Sequence, residues 1–205
     1  MLRNGEENMN TNCILCGVGG QGTVLAAKVL ADVAITKGEE VKTTETIGMA
    51  QRGGSVVSHV RMGKQIHSPL IQEQGADLII SFEPSEAVRN LKFLKKGGTI
   101  ITAVKAVKPV TATLAGSSYD GSEMLSYIRQ NDIRLISADT DKICEICGST
   151  RVVNVALLGA VAKTGILGIT IEEIKQALFK RLPEKTHALN EKALVLGQEL
   201  ADSLS

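Results

Sequence analysis

Tryptophan is absent from this 205-residue sequence, and the two Tyr and three Phe that remain make up only 2% of it. Proteins that hold bases or sugars on stacking platforms need such rings, so their scarcity argues against nucleic-acid or carbohydrate recognition. A surplus of one charge is lacking too: 23 Lys and Arg against 22 Asp and Glu leave a net charge of +1. Nothing in that balance draws a polyanion or an acidic membrane surface. No apolar run approaches the roughly 20 residues of a membrane-spanning helix. The opening segment Met1–Asn12 is polar and lacks the apolar stretch of a secretory signal. Together these absences predict a cytoplasmic chain with neither nucleic acid nor membrane as partner, whose four Cys are thiols rather than disulfides.

What the sequence does have is a core-forming 43% of hydrophobic residues, mostly Val, Ile, Leu and Ala, in a length that suits one domain. We read residues 1–12 as a flexible tail and 13–205 as a single α/β domain, with C-terminal helices over 170–205. Cys13–Cys16 forms a short apolar strand that runs straight into the glycines of Gly17-Val18-Gly19-Gly20-Gln21-Gly22. Thr23–Lys37 is small and apolar on nearly every side, as a buried helix would be, and Gly38 stands where a helix C-cap is wanted. Glu40–Thr44 reads as a second strand and Glu45–Gly54 as a loop. Ser55–Met62 alternates as a half-buried strand does, with Val56, Ser58, Val60 and Met62 on one side.

Ala76–Phe82 is a continuous apolar strand of parallel-sheet character. A helix is predicted from Glu83-Pro84 to about Lys96, then a turn at Gly97-Gly98 into a strand over Thr99–Val104. Ser122–Gln130 reads as a helix, Ile133–Ala138 as a strand, and Asp139 or Thr140 as the cap of a short helix to Cys147. Asn154–Thr164 is a nearly all-apolar helix, expected deep in the core or at a subunit interface. Thr170-Ile171-Glu172-Glu173 is a capping box that opens a helix ended by Pro183. Leucines and alanines at helical spacing predict a last helix from Thr186 to Leu204. This alternation implies a layered, Rossmann-like fold: a mostly parallel sheet, helices on both faces, and a helical C-terminal part.

Gly17, Gly19 and Gly22 match G-x-G-x-x-G between a strand and a helix. Glycines permit the tight turn and the close approach of a ligand, and the helix N-terminus offers unpaired N–H groups to an anion. The same spacing also serves plain strand–helix packing. A dinucleotide site would want an acidic residue about 20 positions on, at the end of strand two, where Glu45 stands. A stand-alone NAD- or FAD-binding oxidoreductase and a non-catalytic scaffold subunit therefore stay open as alternatives at this point.

A longer pattern separates them. The string GVGGQG, followed by ETIGMAQRGGSVVSHVRMG and then by RVVNVALLGAVAKTG, resembles the gamma-type domain of 2-oxoacid:ferredoxin oxidoreductases. GMAQRGGSV with SHVR is similar to the small (beta) subunit of the indolepyruvate type. The three blocks spread over residues 13–165. The resemblance implies a subunit of an enzyme that oxidatively decarboxylates a 2-oxoacid to an acyl-CoA and passes electrons to ferredoxin. In such enzymes thiamine diphosphate performs the carbon chemistry and iron–sulfur clusters carry the electrons. The sequence contains neither a thiamine signature nor a ferredoxin-like cysteine run, so thiamine diphosphate, magnesium and [4Fe-4S] clusters are expected on a larger partner subunit. Coenzyme A is the expected co-substrate and ferredoxin an indirect partner. The isolated chain is then expected to be inactive and to hold no cofactor. Whether it forms a homodimer on its own is open.

What carries over by residue is membership of a surface facing the site, not a catalytic role. The cofactor-binding candidates are Gly17, Gly19, Gly20, Gln21 and Gly22 in the first block and Glu45, Gly48, Met49, Gln51, Arg52, Gly53 and Gly54 in the second. Both blocks follow strands, and if those strands are parallel neighbours both lie on one sheet edge, with the planar fork of Arg52 available to a phosphate or carboxylate. No metal ligand is proposed. Cys13 and Cys16, three apart on a strand, point to opposite faces and cannot converge. Cys144 and Cys147 share a helix face, but near the helix end rather than its start, so buried thiols are the ordinary reading. His59, in mid-strand, is read as a structural histidine, and His67 and His187 carry no motif.

Overall fold

Short runs rich in Val, Ile and Leu become the central strands of one seven-stranded sheet in the computed structural model. Residues 10–48, 54–107, 119–131 and 133–204 are described. The strands are β1 (Thr11–Val18), β2 (Glu40–Ile47), β3 (Ser55–Gly63), β4 (Ala76–Ser81), β5 (Leu94–Ala103), β6 (Arg134–Ala138) and β7 (Ala201–Leu204), in the spatial order β2-β3-β1-β4-β5-β6-β7. The block β1-β4-β5-β6 is parallel throughout. β3 is antiparallel to β1, β2 to β3, and β7 to β6. Five of the seven strands thus share one direction, and the mostly parallel sheet expected from the sequence is present.

Helices cover both faces, as a buried parallel sheet requires. On one face, α1 (Thr23–Thr36), α4 (Thr140–Cys147), α5 (Val153–Thr164), α6 (Ile171–Arg181) and α7 (His187–Glu199) close over Cys13, Leu15, Leu78, Ile80, Ile101 and Ile136. On the other, α2 (Pro84–Arg89) and α3 (Ser122–Gln130) cover Ile14, Cys16, Ile79, Ile100 and Leu135. Cys13 and Cys16 do point to opposite faces. The apolar helix α5 lies deep in the core, with Val155, Leu158 and Val161 each 1% exposed. It crosses α7 at two glycines: a Cβ on Gly159 would collide with the Leu194 carbonyl oxygen, and one on Gly197 with that of Ala156. No helix among the described residues is long and apolar enough to cross a membrane.

Local signals were good guides where one residue fixes a boundary. Gly38 takes the left-handed conformation, φ 80°, after α1. Asp139 caps α4 by accepting from the Lys142 N–H at 3.0 Å. Thr170 and Glu173 form the complete capping box of α6. Elsewhere tertiary pairing overrode them. β1 begins at Thr11, inside the segment read as tail, because Thr11 and Asn12 pair with Met62 and Arg61. β2 continues through Glu45, Thr46 and Ile47, read as loop, because these residues pair with Ser58, Val57 and Val56. The helix begun at Pro84 stops at Arg89 rather than near Lys96: a 3-10 turn, Leu91–Phe93, delivers Leu94 to β5 beside Ala76. The terminal helix ends at Glu199, and Ala201–Leu204 leaves it to pair with β6, which would otherwise be a bare edge.

The chain order also corrects the expected neighbours. β1 and β2 run the same way but are not adjacent, because the β2–β3 hairpin inserts β3 between them. From β1 the chain goes through α1 to one side of the sheet, and from β4 through α2 to the other. The β1–β4 pair is therefore the switch point at which open α/β sheets hold their ligands.

Candidate functional site

The carboxyl ends of the parallel strands converge on a cleft of about 210 Å³. Gly20, Gln21 and Gly22 line it from the loop after β1, Phe82 from the end of β4, Lys105 from the end of β5 and Thr140 from the end of β6. Thr150, Arg151, Val153 and Asn154 complete it from the turn that leads into α5.

The glycine loop forms the near wall. Gly20 and Gly22 have φ of 98° and 84°, a backbone that side-chain-bearing residues rarely adopt. Space around Gly20 is open, whereas a Cβ on Gly22 would sit 2.6 Å from the Asn154 Nδ2. Gly22 is also the N-cap of α1, and no side chain caps that helix. The first N–H groups of a 14-residue helix therefore face the cleft without side-chain partners, with the positive end of its dipole behind them. Gln21 is engaged with the protein: its Oε1 accepts from the Val18 N–H at 2.8 Å and its Nε2 donates to the Phe82 carbonyl at 2.9 Å.

The far wall supplies cations and hydroxyls. Lys105 pairs with Asp141 at 2.6 Å on the rim, and that contact holds its ammonium above the usual lysine range. The Arg151 guanidinium forms no ion pair among the described residues. Thr140 is buried, 1% exposed, and its hydroxyl has no hydrogen-bond partner among the described residues. An orphaned buried hydroxyl is unfavourable unless something else completes it. Asn154, also buried, accepts from the neighbouring Val155 N–H through Oδ1 and turns Nδ2 toward Gly22. Uncapped N–H groups, amide and hydroxyl donors and two cations around one opening make a site for an anion with several oxygens, such as a phosphate.

The second block meets the first at this edge. The Gly19 N–H donates to the Gly54 carbonyl at 2.8 Å, and the Gly48 N–H to that of Ser55 at 2.9 Å, so the hairpin that carries the block rests on the glycine loop. The Ser55 hydroxyl donates to the buried Glu86 carboxylate at 2.6 Å and ties the hairpin to α2. Met49, Gln51, Arg52 and Gly53 lie outside the described residues. Glu45 is brought nowhere near the cleft. It is exposed on the edge strand β2, with β3 intervening, two strand spacings or about 10 Å from β1. The acidic ribose contact of a dinucleotide site is missing there, which weakens the stand-alone dehydrogenase reading.

Sequence reasoning missed Lys105, Thr140, Thr150, Arg151 and Asn154. Thr140 was seen as a helix cap, and Arg151 and Asn154 stood in the quoted third block without a role. The only sequence signal available is positional: Lys105 and Thr140 lie just beyond predicted strands, and Thr150, Arg151 and Asn154 at or just before the start of a predicted helix.

His59, Cys13 and Cys16 are held within the fold. His59 is buried, accepts from the Ile71 N–H at 3.1 Å through Nδ1 and meets the Phe93 ring edge-on at 5.2 Å. Burial pushes its pKa down. Burial likewise raises the Cys16 thiol to about 12 and Cys13 well above its ordinary value, which leaves both inert. Among the described residues no three His, Cys, Asp or Glu side chains gather as a metal would need. With Cys13 and Cys16 divided by the sheet, they do not fit an iron–sulfur cluster.

Comparison with known proteins agrees with the resemblance read from the three blocks. The chain is 37% identical over 196 residues to an indolepyruvate oxidoreductase subunit IorB of Archaeoglobus fulgidus, covering 95% of this chain and 97% of the relative. A subunit of the same name from Thermococcus kodakarensis is 34% identical over 195 residues, 94% of this chain and 96% of the relative. Among solved structures, the pyruvate oxidoreductase subunit PORC of Thermotoga maritima superposes with a TM-score of 0.70 at 18% identity, over 96% of this chain and 99% of the other. A 2-oxoglutarate:ferredoxin oxidoreductase from Magnetococcus marinus has the same fold in a longer chain, with a TM-score of 0.72 at 20% identity, over 95% of this chain and 31% of the other. The family model described as pyruvate ferredoxin/flavodoxin oxidoreductase matches residues 12–200, and the chain belongs to that family.

Proposed function

We propose that this chain is the small subunit of a cytoplasmic 2-oxoacid:ferredoxin oxidoreductase of the indolepyruvate type, and that its cleft holds the phosphate end of coenzyme A. Thiamine diphosphate, magnesium and iron–sulfur clusters belong in this reading to a larger partner subunit. The observation that carries the reading is the convergence of the uncapped α1 N-terminus, Asn154, the orphaned Thr140 hydroxyl, Lys105 and Arg151 on one opening. Coenzyme A presents a pyrophosphate and a further phosphate, and donors of this kind suit their oxygens. Anchoring that end fixes where the thiol arm can reach and so favours acyl transfer over loss of the intermediate to water. Gly20 and Gly22 would let the ligand approach the backbone, while Gly17 makes room for Gln21 and Phe82 and Gly19 ties the loop to the hairpin. Gly48, Met49, Gln51, Arg52, Gly53 and Gly54 would border it from the hairpin, with Arg52 as a further cation.

The test is steady-state turnover of the chain assembled with its larger subunit, with assembly checked by gel filtration. Arg151→Ala is expected to raise KM for coenzyme A by one to two orders of magnitude, the equivalent of one charged contact of about 1.5–3 kcal/mol. KM for the 2-oxoacid is expected to stay within about twofold, as expected if Arg151 does not touch it. Unchanged coenzyme A kinetics for both Arg151→Ala and Lys105→Ala would overturn the assignment.

A further inference from the structure

Gln21 stands in the middle of the glycine loop, where its neighbours suggest contact with a ligand, yet both ends of its amide are held by the protein. Oε1 accepts from the Val18 N–H, the last residue of β1, and Nε2 donates to the Phe82 carbonyl just beyond β4. The two backbone partners fix the amide's orientation, because an N–H demands an acceptor and a carbonyl demands a donor. Main-chain pairing of β1 with β4 ends at Cys16 and Ser81, with one further bond from the Phe82 N–H to the Cys16 carbonyl. Beyond that bond the strands part toward the cleft, and the Gln21 amide spans the gap. Gly17 allows it: a Cβ there would lie 2.6 Å from the Gln21 Oε1 and 2.8 Å from the Phe82 Cβ.

We propose that Gln21 is a positioning residue that clamps the ends of β1 and β4 and so sets the spacing between the glycine loop and Phe82, rather than a residue that touches the bound anion. The inference rests on the reading of the cleft as a coenzyme A site. The clamp needs one acceptor and one donor on the same planar group, which among the coded side chains of this length only glutamine supplies at neutral pH. Gln21→Glu keeps the shape and the acceptor but turns the donor into a second acceptor facing the Phe82 carbonyl. Protonating that carboxyl restores a donor, so the defect should heal as the pH falls. Gln21→Met keeps the approximate length and has neither group, so it should not heal.

The experiment uses the assembled complex and compares each variant with wild type at the same pH. At pH 8, Gln21→Glu and Gln21→Met should both raise KM for coenzyme A about tenfold, the effect of one lost hydrogen bond, with little change in kcat. As the pH falls toward the free glutamate pKa of about 4.3, the Gln21→Glu ratio should fall toward the wild-type value while the Gln21→Met ratio stays. Hydrogen exchange at the Val18 amide should accelerate in Gln21→Met but not in Gln21→Glu, where the carboxylate still accepts from it. Altered exchange with wild-type KM in both variants, or a Gln21→Glu defect that ignores pH, would overturn the positioning role. If the wild-type complex showed no saturable dependence on coenzyme A, the coenzyme A reading itself would fall. The exchange pattern would then decide alone whether the clamp exists.

Discussion

Glycine does two opposite jobs in this molecule, and comparing the β1–α1 loop with the α5–α7 crossing shows how to tell them apart. At the crossing, Gly159 and Gly197 sit in ordinary helical backbone, and the space a Cβ would take is filled by a carbonyl of the other helix. In the loop, Gly20 has a backbone few residues adopt and nothing within 4 Å of where its Cβ would stand. The first arrangement makes room for the protein itself; the second leaves open space, as it also does at the turn glycines Gly38, Gly148 and Gly165, but at Gly20 that space borders the cleft. Gly22 combines them, with φ of 84° and the Asn154 amide against it. The G-x-G-x-x-G spacing announces the loop, the space around each glycine separates those that pack from those that do not, and position at the cleft marks Gly20 and Gly22.

Breaking the crossing should have the largest effect. Gly197→Ala or Gly159→Ala forces the two helix backbones apart in a core where Ala156, Leu157 and Leu194 are almost wholly buried. Overpacking against backbone has no flexible side chain to yield, so a loss of about 3 kcal/mol or more is expected. The readout is the midpoint of thermal or denaturant unfolding, and a shift under about 1 kcal/mol for both variants would show that the helices slide apart freely. Gly22→Ala should come next, at about 2 kcal/mol, from the left-handed backbone and the displaced Asn154. It should also weaken coenzyme A binding, whereas the crossing variants, where any protein folds, should bind normally.

Much of the fold was legible because helices and turns here are set by neighbours in sequence: Gly38, Asp139 and the Thr170–Glu173 box needed no tertiary information. The order of strands was not. Nothing in Thr43–Ile47 says that a hairpin will insert β3 beside β1, and that insertion is what removes Glu45 from the cleft. The site was half legible for the same reason. Its glycine loop is contiguous, and so it forms a motif. Lys105, Thr140, Arg151 and Asn154 come from three separate segments that only the sheet brings together. Single polar residues after strands carry no spacing signal for a reader to find.

Gly20→Ala sharpens the contrast with Gly22. Its φ of 98° should make it unfavourable by about 1 kcal/mol, with no clash to add to it. Its effect on stability should therefore be smaller than that of Gly22→Ala, while its effect on coenzyme A affinity should be comparable, because the methyl projects into the space left for the ligand. Equal stability losses from the two variants, measured by chemical denaturation, would mean that the contact with Asn154 contributes nothing.

The smallest effect on stability should come from Thr140→Val, and it is the most informative about the cleft. The substitution keeps the shape of the side chain and replaces a hydroxyl that has no partner among the described residues with a methyl group. Removing a polar group that is buried and unpaired relieves an unfavourable desolvation, so the free protein should be unchanged or more stable by up to about 1 kcal/mol. Thr140 also follows Asp139, whose carboxylate caps α4, so the helix keeps its start. If the hydroxyl is there for an anion, the same substitution should weaken coenzyme A binding about five- to tenfold, the loss of one hydrogen bond. The two readouts then move in opposite directions, which a purely structural threonine cannot do. Denaturation of the free chain and titration of coenzyme A into the assembled complex measure them separately. Lower stability with unaltered affinity would place Thr140 with Gly159 and Gly197, among the residues that serve the protein's own packing.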